Sequence, residues 1–145
     1  KHSIEIIAMF IVSTLLIPLF MLFHLVGPIP ADLGFQGGDL SECTSPAHCA
    51  RQDWHSANPL ADLQTLTAAV RETPRTVIIE ESDGYIHAEA SSAVFGFVDD
   101  LELLAVPAKS MVQARSISRL GDSDLGVNSA RLNSLKVLII NMDQN

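Results

Sequence analysis

The hydrophobic and polar positions divide the chain into an uncharged N-terminal stretch and a patterned remainder. Residues 6–26 carry no charged side chain, and a helix of about 21 residues spans roughly 31 Å, close to the hydrocarbon thickness of a bilayer. We therefore predict a single transmembrane helix within residues 1–27. Lys1 precedes this stretch and no basic residue follows it before Arg51, so the positive-inside rule predicts a single-pass membrane protein with a cytoplasmic N-terminus and a periplasmic or lumenal domain.

The rest of the pattern predicts two helices and four strands. Asn58 and Pro59 are typical of a helix N-terminus, and Pro74 ends the helical spacing of leucines that follows them. Asn128 is positioned to cap a second helix, whose apolar stripe includes Leu132 and Leu135. β-branched or alternating segments predict strands at 76–80, 85–90, 95–105 and 111–118.

The order helix, four strands, helix predicts an α+β fold. Short connections between consecutive strands favour a four-stranded antiparallel sheet, and two amphipathic helices would cover one of its faces in a small two-layer domain. We place this extramembrane domain at residues 58–145. The stretch 28–57, rich in glycine and proline at its start, is interpreted as a linker with a cysteine loop.

The only two cysteines lie within this linker. Cys43 and Cys49 are separated by five residues, and outside the cytoplasm such a pair most simply forms a disulfide that closes a short loop. Free thiols are an alternative. So is a metal site that would also use His48 and His55, although no second cysteine pair is present.

The charge distribution narrows the class of protein. The chain has 145 residues and a formal net charge of −8. Residues 28–145 contain all of this excess, with eight basic and sixteen acidic side chains. This balance argues against nucleic acid as a partner and against a disordered chain, but it indicates no activity.

One histidine falls in the uncharged stretch. His24 lies near the predicted outer end of the span, where it could ligate a pigment or a metal ion. The alternative is a histidine at the level of the lipid headgroups, where its polarity costs little. We predict no cofactor or metal for the domain itself.

The densest candidate chemistry is a set of acidic, basic and amide side chains in two segments. It comprises Asp99, Asp100, Glu102, Arg115, Arg119, Asp122, Asp124, Asn128 and Arg131. Three interpretations compete: a structural network of ion pairs, a calcium site built from the four aspartates, and an acid–base catalytic site. The chain has no nucleophile elbow, phosphate loop, zinc-protease helix or dinucleotide fingerprint, and we predict that it is not an enzyme.

These same segments carry a family resemblance. The run from Phe97 to Glu102, followed by Arg115-Ser-x-Ser-Arg119 and Ser123-Asp-Leu-Gly-x-Asn128-x-x-Arg131, resembles the bacterial and plastid family called domain of unknown function 1499. Cys43-x-x-Pro-x-x-Cys49 resembles the N-terminal motif of that family, with Ala47-His48 as a departure from it. The resemblance covers about residues 40–142. It implies a small extracytoplasmic or lumenal domain without an established catalytic activity.

These observations lead to a hypothesis about function. We expect an accessory or structural subunit of a larger membrane protein complex, with the membrane and other subunits as partners. The occurrence of the resembling family in phototrophs favours a photosynthetic reaction-centre or light-harvesting assembly. The alternatives are an accessory subunit of a respiratory complex, and a membrane-anchored domain that binds or hydrolyses a small ligand with Asp99, Asp100, Arg115 and Arg119.

Overall fold

The computed structural model describes residues 26–140. Its strands are β1 (Phe35–Gln36), β2 (Asp39–Leu40), β3 (Cys49–His55), β4 (Thr76–Ser82), β5 (Tyr85–Ser91), β6 (Val98–Val106) and β7 (Met111–Ser118). Its helices are α1 (Pro59–Glu72) and α2 (Val127–Ile140), with one turn of 3-10 helix at Pro107–Lys109.

Five strands form one antiparallel sheet in the order β3-β7-β6-β5-β4. Strands β4 to β7 pair with their neighbours in sequence, as hairpin connections favour. Strand β3 departs from this order, because it precedes α1 in the chain yet pairs with β7, the last strand. Strands β1 and β2 form a separate two-stranded hairpin.

Both helices pack on one face of the sheet, which we call the inner face. Helix α1 begins where the side-chain oxygen of Asn58 accepts a hydrogen bond from the Ala61 amide, with Pro59 in the first turn. The apolar stripes of the two helices meet inward-facing strand residues in one core. Its largest fully buried apolar members are Trp54, Leu66, Ile86, Leu101, Leu103, Leu132 and Ile139.

The opposite, outer face is covered by the N-terminal segment of the described chain. Leu40 of β2 is buried in a second, smaller apolar cluster with Tyr85, Leu104 and Val106. The ring of Phe35 lies 5.4 Å from that of Tyr85. Residues 26–44, which from residue 28 onward were interpreted as a linker, therefore pack as a layer over the outer face, and we call them the strap.

The predicted four-stranded sheet is wrong, because the sheet has five strands and a two-stranded hairpin accompanies it. The missing strand is β3, whose polar composition resembles that of a loop. Strand β6 begins at Val98 rather than Phe95, because Phe95 and Phe97 belong to the β5–β6 connection. Helix α2 begins at Val127, so Asn128 lies inside the helix and does not cap it.

The transmembrane part of the fold prediction is also corrected. No helix within residues 26–140 is long and apolar enough to cross a bilayer. The predicted span lies almost wholly within residues 1–25, and so does His24; these residues are outside the described part of the chain.

Candidate functional site: a buried ion-pair network

Strand register places the charged side chains of the outer face next to one another. Glu102 of β6 pairs with Arg115 of β7 on one side and with His87 of β5 on the other. Two residues along β6, Asp100 pairs with Glu89 of β5. Directly paired residues in an antiparallel sheet project from the same face, so these five side chains form one layer.

Glu102 is the centre of the first group of contacts. One carboxylate oxygen accepts hydrogen bonds from the Tyr85 hydroxyl at 2.9 Å and from the Gly34 amide of the strap at 2.6 Å. The other accepts a hydrogen bond from Arg115 at 2.9 Å. Burial, followed by the charge of Glu102, raises the pKa of Tyr85 well above its usual range, so this hydroxyl remains a donor at any physiological pH.

Arg115 connects this carboxylate to the strap. Its guanidinium is 1% exposed and also donates to the Asp32 carboxylate at 2.6 Å. Arg51 lies directly across the strand pair from Arg115, and like charges in this position repel. Arg51 has its own carboxylate partners, Asp53 at 2.9 Å and Glu42 at 3.4 Å. The Nε atoms of both arginines are buried without a hydrogen-bond partner.

Asp100 is the centre of the second group. It is fully buried and accepts two hydrogen bonds from Arg119, at 2.7 and 2.8 Å, and one from His87 Nε2 at 2.8 Å. Burial acts to raise the pKa of Asp100, but the hydrogen bonds from Arg119 and His87 outweigh it and hold that pKa below its usual range. Arg119 also donates to Glu89, and the hydrogen bond to Asp100 is the main reason that the pKa of Arg119 is raised.

A third group lies on the inner face, at the base of α2. Because successive strand residues point to opposite faces, Asp99 faces the helices and pairs with Arg131 at 2.8 Å. Arg131 also donates to Ser116 and to the side-chain oxygen of Asn128. The side-chain amide of Asn128 donates to the His48 carbonyl at 3.1 Å and to the Ser118 hydroxyl at 2.9 Å.

Asp124 shapes the corner between β7 and α2. Its carboxylate accepts hydrogen bonds from the amides of Gly126 at 2.8 Å and Asn128 at 3.1 Å. Burial acts to raise the pKa of Asp124, but these hydrogen bonds lower it overall. Asp124 therefore accepts the hydrogen bonds of backbone amides at the start of α2, the capping role that was predicted for Asn128.

The predicted site residues thus fall into separate groups. Glu102 and Arg115 meet, Asp100 and Arg119 meet, and Asp99 with Arg131 and Asn128 lies on the other face. Asp122 is exposed. The four aspartates proposed for calcium do not converge, and within residues 26–140 no group of three or more histidine, cysteine or acidic residues could hold a metal ion.

Four members of the outer-face network were not among the site residues predicted from the sequence. They are Asp32, Tyr85, His87 and Glu89. The alternation of Tyr85, His87 and Glu89 opposite the apolar face of β5 was visible in the sequence, and it marks polar groups that one face of a strand holds together. Asp32 gave no local signal, because only the packing of the strap brings it to Arg115.

The predicted disulfide is confirmed. Cys43 and Cys49 are bonded, with their Cα atoms 5.6 Å apart. Cys49 is the first residue of β3 and Cys43 lies at the end of the strap. The bond therefore ties the strap to the edge of the sheet.

Two depressions in the surface lie away from most of the network. A groove of about 620 Å³ runs between α1 and the β4–β5 hairpin, past Leu60, Gln64, Thr67, Arg71, Glu81 and Asp83. A smaller one of about 220 Å³ lies between the two helices, and Arg131 is the one member of the predicted set that lines it. Neither gives access to Glu102, Asp100 or Arg115.

Comparison with known proteins identifies the family of the chain. The family model described as "Protein of unknown function (DUF1499)" matches residues 39–137. This range runs from β2 into α2 and includes both cysteines and every charged residue of the predicted set, which confirms the resemblance inferred from the sequence. Searches of the curated proteins and of the solved structures found no match.

Proposed function

Since the chain belongs to a protein family of unknown function, DUF1499, which brings no activity with it, we propose from its geometry that it is a non-catalytic accessory subunit of a larger membrane protein assembly. One observation carries the proposal: the charged side chains of the family-matched segments bond to one another and to the strap. Asp100 and Glu102 have no exposed surface, and Arg115 has almost none. Groups that act on a substrate need a site where the substrate reaches them.

The contacts of the network support stabilisation of the domain better than they support catalysis. Its carboxylates accept hydrogen bonds from arginine, histidine, tyrosine and a backbone amide, which is what buried charges require. These contacts join β5, β6, β7 and the strap. A domain held in this way presents a fixed outer surface to a partner.

Two further features support an extracytoplasmic place in such an assembly. Disulfides persist in oxidising compartments and are rare in the cytoplasm, and the Cys43–Cys49 bond ties the strap to the sheet. The uncharged residues 6–26 have the chemistry that a hydrocarbon phase accepts. Both features fit the extracytoplasmic location at a membrane expected from the sequence, which remains part of the proposal.

Native co-purification tests the proposal. The full chain, tagged at its C-terminus, is extracted from its own membranes in a mild detergent, and its size is measured on a native gel before mass spectrometry. We expect it to migrate with larger integral membrane subunits, and their identities would separate a photosynthetic from a respiratory assembly. A chain that migrates alone under these conditions contradicts the proposal.

Replacing one buried ion pair of the network by apolar side chains separates a structural role from a chemical one. In Asp100→Leu/Arg119→Met both members of a buried pair are replaced by apolar side chains, a change that is often neutral or stabilising. If the network only supports the fold, the double variant keeps its partners and complements a deletion strain. If it folds and keeps its partners but fails to complement, the network has a chemical role and the non-catalytic proposal is wrong.

A further inference from the structure

Six exposed apolar side chains gather at one end of the sheet. They are Val26, Val94, Phe95, Phe97, Leu120 and Leu125. We call this set the apolar rim. Solvent-exposed hydrophobic residues scattered singly are ordinary, but a group of them marks a contact surface.

Sheet geometry places the members of the apolar rim together. The β5–β6 connection, residues 92–97, begins where Ser91 pairs with Val98. The Val98 carbonyl accepts a hydrogen bond from the Arg119 amide at 3.1 Å, so Leu120 follows at the same end. Gly27 packs so closely here that a Cβ atom on it would lie 2.7 Å from the Leu120 side chain. Val26 therefore joins the same group.

Leu125 is the most exposed apolar residue of the set, at 93%. Its backbone has a φ of +53°, a left-handed conformation that is unfavourable for a non-glycine residue. The turn is fixed by hydrogen bonds from the Leu125 amide to Ser123 Oγ and from the Gly126 amide to Asp124. The β7–α2 corner therefore presents a leucine to the surroundings at a conformational cost.

We propose that the apolar rim lies in the surface of a lipid bilayer. The chain outside the described residues carries the argument, because the uncharged stretch 6–26 meets the fold at Val26 and Gly27, within this rim. Whatever membrane takes up that stretch lies next to Phe95, Leu120 and Leu125. The inference rests on the membrane location in the proposed function.

The two ends of the sheet differ in how many apolar side chains they expose, since the rim has six, whereas Leu60 and Phe35 lie toward the other end. The rim carries two phenylalanines, Phe95 and Phe97, stacked with ring centroids 5.5 Å apart, and phenylalanine and leucine are typical of the apolar face of a segment that lies in the membrane interface. Exposed charges lie at both ends, with Asp83 and Lys109 at the other end and Arg75 and Asp122 near the rim. Strand β5 alone separates the ends by about 20 Å, so only one of them reaches the lipid.

Tryptophan quenching by lipid tests the orientation. The full chain carrying Phe95→Trp is reconstituted in phosphatidylcholine vesicles whose acyl chains are brominated, and emission is compared with that in unbrominated vesicles. Leu60→Trp is the matched control, because Leu60 is 48% exposed against 52% for Phe95 and lies beside Gly84 at the other end. Native Trp54, 1% exposed, supplies the same baseline to both and reports that each variant is folded.

We expect brominated lipid to reduce the added emission about twofold for Phe95→Trp and to leave that of Leu60→Trp nearly unchanged. Leu125→Trp is the second rim probe, and it should behave like Phe95→Trp. Equal quenching at both ends, or quenching at neither, overturns the proposal. So does a blue-shifted but unquenched rim probe, which would mean that protein and not lipid covers the rim.

These outcomes are independent of co-purification. A chain that migrates alone but has a quenched rim retains the lipid contact and loses the accessory role. A chain that migrates with partners but has an unquenched rim retains the role and loses the lipid contact.

Discussion

Replacing Asp100 with asparagine tests whether the buried network stabilises the domain. The change keeps the shape of the side chain but removes its negative charge. One carboxylate oxygen becomes an amide that donates, and it faces the donors of Arg119 and His87, which lie at 2.7 to 2.8 Å. Arg119 then keeps Glu89 as its one remaining acidic partner among these contacts.

The expected loss follows from burial. Removing one member of a buried ion pair costs about 3–5 kcal/mol, because the other charge stays buried without compensation. Glu89 remains in contact with Arg119 and is itself partly exposed. We therefore expect a loss at the lower end, about 3 kcal/mol.

Urea unfolding of the full chain in mild detergent, followed by the emission of buried Trp54, measures this loss. For a slope typical of small proteins, the midpoint should fall by about 1–3 M. Glu81→Gln is the control, since Glu81 pairs with Arg71 at 2.6 Å but both side chains are about half exposed. Such surface pairs contribute about 0–1 kcal/mol, so the control midpoint should barely move.

The reasoning is refuted if Asp100→Asn lowers the midpoint no more than Glu81→Gln does. If Asp100→Asn fails to fold, the double variant Asp100→Leu/Arg119→Met decides the question. It should be more stable than Asp100→Asn, because no charge of the pair remains buried. A double variant as unstable as the single one would show that packing, and not charge compensation, is what the mutation removes.

Four more predictions concern Asp100 in acid, the disulfide, the strap and Asn128 at the start of α2. Because the folded-state pKa of Asp100 is lowered, its contribution to folding stability is complete above the unfolded pKa of about 3.9 and is lost as the pH falls through the folded pKa. Thermal melts between pH 7 and pH 2 should therefore show a smaller fall in melting temperature with acid for Asp100→Asn than for the native chain. Replacing Cys43 and Cys49 together by alanine should cost about 2 kcal/mol, since the disulfide closes a short loop, and the native chain should show the same drop in melting temperature on reduction while the variant shows none. Gly27→Ala should loosen the strap, because its Cβ atom would lie 2.7 Å from a backbone carbonyl, and limited proteolysis should cut residues 26–34 faster than in the native chain, whereas an unchanged cutting rate would contradict the close packing. Asn128→Ala should cost about 2–4 kcal/mol in urea unfolding, because the buried Ser116 and three partly buried partners lose their hydrogen bonds at once.

The local sequence pattern was sufficient to predict the elements whose signals lie within their own residues. Helix α1 has a cap, an N-terminal proline, an apolar stripe and a proline that follows it, and it lies where these signals predict. Strands β4, β5 and β7 were predicted from β-branched or alternating segments separated by turn residues. The disulfide required only two cysteines close in sequence.

Strand β3 shows where local pattern fails. Its outward residues include Arg51 and Asp53, and Trp54 is its only large buried apolar side chain. Its polarity is typical of a linker when read alone. The strand is stable because β7, which lies far away in the chain, supplies its hydrogen-bond partners. The carboxylates of Asp53 and Glu42 compensate Arg51.

The sequence by itself therefore determined the elements with local signals, the cysteine pair, the family and the presence of an acidic and basic cluster. Only the tertiary structure decided which charges meet. Adjacent residues on a strand face opposite sides, so Asp99 and Asp100 belong to different networks. Arg115 pairs with Asp32, 83 positions away, only because the strap packs against the outer face. Neither the composition nor the spacing of residues predicts that packing.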